Sequence, residues 1–152
     1  MSAHTCEHDH NMIESILEYD AYYHDALFLA VQDECVTCVE HVLRYIEHIH
    51  PDDARECKYD ALLNCIELQN IDLLKLLIMH EVDIDGGNGK PLISAIRLNN
   101  LECVRMLIDN GVDVCIRDEA PLQIAKQCGN PEIIAIIERA ISYQNDDTIA
   151  FK

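Results

Sequence analysis

The sequence predicts an all-α solenoid of four helix-turn-helix units, and three observations carry that prediction. Four segments align without internal gaps: Asp25–Leu43, Asp60–Ile78, Lys90–Ile108 and Ala120–Glu138. Within each, apolar residues recur at intervals of three and four, the period of a helix face. Breaks at Gln69-Asn70, Asn99-Asn100 and Gly129-Asn130 suit a tight turn with left-handed backbone.

The alignment fills its columns with one chemical type. Leu27, Leu62, Leu92 and Leu122 form one column, and the small residues Ala30, Cys65, Ala95 and Ala125 another. Three more are mid-sized and apolar: Cys38, Leu73, Cys103, Ile133; Val39, Leu74, Val104, Ile134; and Val42, Leu77, Leu107, Ile137. A lone helix pair buries little, but stacked pairs share a continuous apolar seam.

The elements follow in order. Residues 1–10 read as a flexible N-terminus. Residues 11–24 read as a capping helix, with Met12, Ile13, Ile16 and Leu17 on one side of Asn11–Tyr19. The array spans 25–140, in units of about 25–59, 60–89, 90–119 and 120–140. Asp25 and Asp60 stand where an N-cap is needed, and Pro91 and Pro121 in the first helical turn. In the second unit the helices are expected at Ala61–Leu68 and Ile71–His80. Leu27 to Leu62 is 35 residues, whereas the next two intervals are 30. The extra residues fall in Arg44–Asp60 and predict a longer second helix ending before Pro51, then a loop. In the last unit Lys126 replaces the apolar Val31, Ile66 and Ile96, and Glu138 ends the second helix, as a polar outer face requires. A tail, 141–152, completes the chain.

These residues resemble the ankyrin repeat. The likeness rests on Pro91-Leu92 and Pro121-Leu122, on the small residue three further on, and on the second-helix starts Glu102-Cys103-Val104 and Glu132-Ile133-Ile134. It is clearest in Leu107–Val114, which is similar to the family's Gly-Ala-Asp-Val turn; His80–Ile84 repeats that turn with Glu81 in place of Gly. The match covers 25–140. It departs at the family's Thr-Pro-Leu-His start: Asp25, Asp60, Lys90 and Ala120 hold the Thr position, and Phe28, Leu63, Ile93 and Gln123 the His position. The hydrogen-bond network of that motif is therefore missing, which implies lower stability than a consensus array. The interval of 30 against about 33 for the ordinary repeat implies shortened hairpin fingers, similar to those of ankyrin arrays in giant DNA viruses.

Composition bounds the function. The 152 residues hold 11 Lys and Arg against 28 Asp and Glu, for a net charge of -17, with 5% aromatics and no Trp. Nucleic acid and anionic membranes need a basic footprint, and base stacking needs aromatics. The N-terminus has neither the basic nor the apolar region of a signal peptide, and no apolar run spans a membrane. A cytoplasmic location, with passive nuclear entry or in the host cytoplasm if viral, is the expectation, and the 8 cysteines read as reduced thiols.

Chemical motifs dissolve under the alignment. Cys35-Val36-Thr37-Cys38 has zinc-like spacing, but Cys38 shares a core column. His4, Cys6, His8 and His10 alternate and could bind metal adventitiously; a polar terminus is the simpler reading. Gly86-Gly87-Asn88-Gly89-Lys90 fails the phosphate-loop pattern at Ile84 and Pro91 and suits a turn. No cysteine or serine has a catalytic signature, and Asp52-Asp53 and Asp146-Asp147 read as solvated faces. No enzyme and no cofactor are expected.

The resemblance implies a protein-binding module whose first helices and fingers line a concave groove. Carried over by column, the contact positions are Gln32, Asp33, Glu67, Leu68, Arg97, Leu98, Gln127 and Cys128, with Lys90, Arg117, Asp118, Asp85, Asn88 and Glu119 from the fingers. Leu68 and Leu98 are apolar at normally polar positions, so they resemble a small hot spot with a polar rim; the alternative is that they pack on each other or under a finger. The acidity favours a partner with a basic or amphipathic segment, possible host factors included if the source is viral. Other readings are an inhibitor resembling the I-kappa-B group that masks a basic segment of a transcription factor, a viral adaptor that recruits a host ligase through a separate protein, and a metal or redox sensor using the N-terminal His/Cys cluster with Cys35 and Cys38. An incomplete cap would allow a weak homodimer.

Overall fold

The computed structural model describes residues 11, 13–15, 17 and 22–149, with side chains through residue 145. The chain divides into two compact units, Met1–Asp83 and Ile84–Lys152. Unit 1 holds α1 (Tyr23–Gln32), α2 (Val36–Ile49), α3 (Pro51–Glu67) and α4 (Ile71–Met79). Unit 2 holds α5 (Gly86–Arg97), α6 (Leu101–Asp109), α7 (Ile116–Cys128) and α8 (Pro131–Ile149). Among the described residues there is no strand. In unit 1 α1 pairs with α2 and α3 with α4 as hairpins, and in unit 2 α5 with α6 and α7 with α8. Within unit 1, α1 packs on α3 and α2 on α4; within unit 2, α5 packs on α7 and α6 on α8.

The aligned columns are the core. Leu62 and Leu92 are 0% exposed, Leu27 3% and Leu122 9%. Ala30, Cys65, Ala95 and Ala125 are fully buried, and the first three have a second duty. Their carbonyls accept the amides of Cys35, Asn70 and Asn100 at 3.1, 3.0 and 3.1 Å, while Glu34, Gln69 and Asn99 donate to the residues at 31, 66 and 96. These paired bonds close a helix end over a left-handed residue. Glu34, Gln69, Asn99 and Gly129 have φ of 53, 57, 56 and 79°.

The next residue starts the second helix. Asn70 and Asn100 each accept an amide three residues on at 3.0 Å, from Leu73 and Cys103; Asn130 accepts from Glu132 at 2.9 Å. Each cap satisfies a donor that the helix cannot. Within each unit the cap also forms a rung: Asn70 donates to Glu34 at 2.7 Å, and Asn130 to Asn99 at 2.7 Å.

The second helices end in the same way. Glu81 and Gly111 are left-handed, with φ of 56 and 86°, and donate to Ile78 and Ile108. Gly111 carries no steric penalty there, but Glu81 does. Glu81→Gly is expected to stabilise the protein by about 1 kcal/mol and to raise the thermal midpoint by roughly 2–4 °C. An unchanged or lower midpoint in a calorimetric scan would contradict this.

The shortened fingers are left-handed turns. Gly87, Asn88 and Gly89 have φ of 59, 58 and 76°, and Arg117, Asp118 and Glu119 have 52, 54 and 60°. Pro91 and Pro121 follow each turn and open the right-handed stretch, where a fixed φ and a missing N–H cost nothing.

Three expectations about helix limits need correction. Asp25 lies in the first turn of α1, whose N-cap is Tyr22, and Asp60 lies inside α3. No loop follows Pro51. His50 ends α2 and begins α3, Pro51 takes the first helical position, and Asp52 and Asp53 fill the first turn. The extra residues therefore lengthen the first helix of the second pair. Nor does Glu138 end the last helix, which runs to Ile149. Gln144 anchors the extension: its amide donates to the Val112 carbonyl at 2.9 Å, and its oxygen accepts from the Val114 amide at 3.2 Å. Of the expected capping helix, Ile13 and Leu17 are helical and buried; Met12 and Ile16 lie outside the described residues.

Candidate protein-binding surface

The contact positions carried over by column occupy equivalent places. In unit 1, Gln32 ends α1 and Asp33 is its C-cap, while Glu67 ends α3 and Leu68 is its C-cap. Gln32, Asp33 and Glu67 are exposed and Leu68 is half-buried. The Asn70–Glu34 rung holds these two helix ends side by side. In unit 2, Arg97 ends α5, Leu98 is its C-cap and is 38% exposed, and Gln127 lies in the last turn of α7. The Asn130–Asn99 rung aligns those ends. Lys90, Arg117, Asp118, Asp85, Asn88, Glu119 and Cys128 are exposed. Arg117 and Asp118 project from a left-handed turn, and Lys90 directly follows one.

The sequence reading missed a cavity of about 220 Å³ between α1 and α3. Asp25, Phe28, Asp60 and Asn64 line it, together with Cys57 and His24. Phe28 is 50% exposed; it holds the position where the ankyrin pattern has His, which was the available signal. Cys57 Sγ lies 3.3 Å from His24 Nδ1, a spacing seen in nucleophilic dyads. Its environment opposes that chemistry. Burial first, and the charges of Asp53, Asp60 and Glu56 next, push the thiol up to about 11, whereas a reactive cysteine needs a depressed value. Burial and Glu102 likewise push Cys103 to about 11, and burial, Asp113 and Glu119 raise Cys115.

Charge is unevenly divided. Unit 1 carries 18 Asp and Glu against 4 Lys and Arg, a net -14; unit 2 carries 10 against 7, a net -3. The acidity that the whole chain shows is thus a property of the unit that holds the cavity.

One half-buried cation of unit 1 is structural. Lys58 of α3 donates to Glu47 of α2 at 3.0 Å and to the His80 carbonyl after α4 at 2.6 Å. His80 Nδ1 donates to Glu47 at 3.1 Å. Burial raises the Glu47 carboxyl, but the bonds from Lys58 and His80 outweigh it, so the group sits below its ordinary 4.5. A depressed carboxyl stabilises the fold above its unfolded pKa, and that contribution is lost as pH falls through the folded value. Lys58→Met is expected to cost about 1–2 kcal/mol at neutral pH. It should also flatten the acid limb of stability below about pH 4.5, as urea unfolding across pH 3–7 would read. An unaltered acid limb would show that Glu47 keeps its low value without Lys58.

Cys35 and Cys38 hold structural positions. Cys35 Sγ is the N-cap of α2 and accepts the Cys38 amide at 3.3 Å, and Cys38 is 0% exposed. Their spacing is that of a cap and its partner. Among the described residues no three His, Cys, Asp or Glu side chains are grouped to hold a metal ion. His4, Cys6, His8 and His10 lie outside the described residues. No helix among the described residues is long and apolar enough to cross a membrane.

No curated protein compared with the chain matches it. A family model does: ankyrin repeats, in three copies, match residues 27–118. The α7–α8 hairpin, which lies almost wholly beyond that span, repeats the left-handed turn of the others and the Asn cap of the second and third and makes a fourth. Ankyrin repeats are generally protein-protein interaction modules without catalysis. The match covers more than half of the sequence, within each unit the helix pairs stack as the columns require, and the chain belongs to the ankyrin-repeat family.

Proposed function

We propose that this chain is a non-catalytic binding module that takes a basic segment of a partner protein on the first-helix face of unit 1. The observation that carries the reading is the cavity between α1 and α3, with Asp25 and Asp60 beside the exposed ring of Phe28, on the unit with a net charge of -14. A guanidinium or ammonium there meets carboxylates for its charge and an aromatic face for its stem. The field of unit 1 would speed encounter with such a segment. The same reading assigns contacts to each unit separately: Gln32, Asp33, Glu67 and Leu68 in unit 1, and Lys90, Arg97, Leu98, Arg117, Asp118 and Gln127 in unit 2. A viral protein directed at a host factor fits the shortened turns and belongs to this proposal.

Affinity capture from lysate tests it, with wild type, Asp25→Lys/Asp60→Lys, and Leu68→Asp/Leu98→Asp, each confirmed helical. A partner lost from the Lys variant, and released from wild type by salt, supports the basic-segment reading. Loss from the Leu variant alone keeps the helix ends and removes the cavity. Identical capture by all three would overturn the proposal.

A further inference from the structure

Unit 2 has a second concave feature, on its other helix layer. A groove of about 410 Å³ runs between α6 and α8. From α8, Ile136, Arg139, Ala140 and Tyr143 face it, and from α6, Arg105 and Ile108. The spacings are three, four and seven on α8 and three on α6, so each set is one helix face. The floor is apolar and only partly covered: Ile108 and Ile136 are half-buried, and Tyr143 is 66% exposed. One wall is held rigid, because Gln144, next to Tyr143, is bonded to both Val112 and Val114.

The charges at the groove set its ligand. Arg105 and Arg139 are exposed, and neither has an ion pair among the described residues. That is notable in a chain with 28 acidic side chains. Among the described residues Asp109 is the one carboxylate lining the groove. Two guanidiniums beside an apolar floor match carboxylates beside an apolar side chain. A polyanion such as nucleic acid fits poorly, since two cations give little counterion release and the chain's net charge repels it.

We propose that the groove between α6 and α8 is a second protein-binding surface, which takes an acidic amphipathic segment of a partner. An apolar side chain of that segment sits on Ile108, Ile136, Ala140 and Tyr143, and flanking carboxylates meet Arg105 and Arg139. This surface is separate from the cavity of unit 1 and opposite to it in the charge it selects. It does not depend on the basic-segment reading.

The test uses the full chain and two short fluorescein-labelled peptides. One carries a leucine–phenylalanine pair flanked by glutamates, and the other has glutamines in their place. In fluorescence anisotropy, wild type should bind the glutamate peptide saturably and the glutamine peptide about tenfold more weakly. Arg105→Gln/Arg139→Gln should weaken the glutamate peptide by about tenfold, and Ile136→Asp should abolish binding, with helicity unchanged in both. Amide shifts of wild type on titration should centre on 105–109 and 136–144. Equal binding by the double Arg variant, or no saturable binding of the glutamate peptide by wild type, overturns the proposal. So does a wild-type dimer in sedimentation velocity that the double Arg variant converts to monomer, since a second copy would then fill the groove.

Discussion

Leu92→Ala is expected to lower the unfolding free energy by about 3–4 kcal/mol, and Leu122→Ala by about 2–3 kcal/mol. Both leucines occupy the same column, one on α5 and one on α7 of unit 2. Removing a buried isobutyl group loses its transfer free energy and leaves a cavity that the surroundings only partly close. Leu92 is 0% exposed and Leu122 9%, so the second site already touches water and relaxes more easily. Urea unfolding followed by far-UV circular dichroism gives the sum. Because repeat arrays can unfold in parts, hydrogen exchange of the α5 and α7 amides gives the local value. A loss below about 1 kcal/mol at Leu92 would mean that the column is not the core. Equal losses would mean that the fourth hairpin is packed as tightly as the third.

The columns made the fold legible because each is a packing demand repeated at a fixed interval. Leu27, Leu62, Leu92 and Leu122 fall inside, and the breaks at Gln69, Asn99 and Gly129 are left-handed. What was misread is instructive. The signals for α3 are in the sequence: Pro51 at the first position, Asp52 and Asp53 in the first turn, and Ala54, Cys57 and Ala61 along one face. Alignment to the repeat placed the start at Asp60 instead, and a rule about repeats overrode a local rule about helix starts. Arg117-Asp118-Glu119 is a different case. Gly87 and Gly89 announce a left-handed turn by their chemistry, whereas Arg117 and Glu119 favour no such backbone. The fold imposes that turn, so residue type alone could not reveal it.

The surface divides in the same way. Column arithmetic put Gln32, Asp33, Glu67, Arg97 and Gln127 at exposed helix ends, because exposure there follows from the repeat. The cavity of unit 1 depends on Cys57 and Asp60 being helical, which required the full length of α3. The groove of unit 2 depends on Ala140 and Tyr143 continuing α8. That continuation is fixed by Gln144 reaching backbone 30 and 32 residues away, a pairing with no local pattern to betray it. Both features lie where helices outgrow the repeat.

Gly89→Ala is expected to cost about 2–3 kcal/mol, from two separate causes. The backbone at Gly89 has φ +76°, which strains any side chain. A Cβ there would also stand 2.9 Å from Ile116 Cγ2 and 3.4 Å from its Cδ1. Ile116 is β-branched, so its Cγ2 methyl cannot swing aside without leaving a preferred rotamer. Gly129→Ala separates the causes: its φ is +79°, yet nothing lies within 4 Å, so only the backbone term of about 1 kcal/mol should appear. Ile116→Ala removes the opposing methyl. In a double-mutant cycle it should therefore return about 1 kcal/mol or more of the Gly89→Ala loss. Equal losses at Gly89 and Gly129, with no coupling to Ile116, would mean that the close approach of this turn to α7 carries no energy. Glu119 holds the position equivalent to Gly89 in the next turn, with φ of 60°. Glu119→Gly should then move stability the other way, by about 1 kcal/mol, so that the same glycine is costly to lose in one turn and favourable to gain in the next.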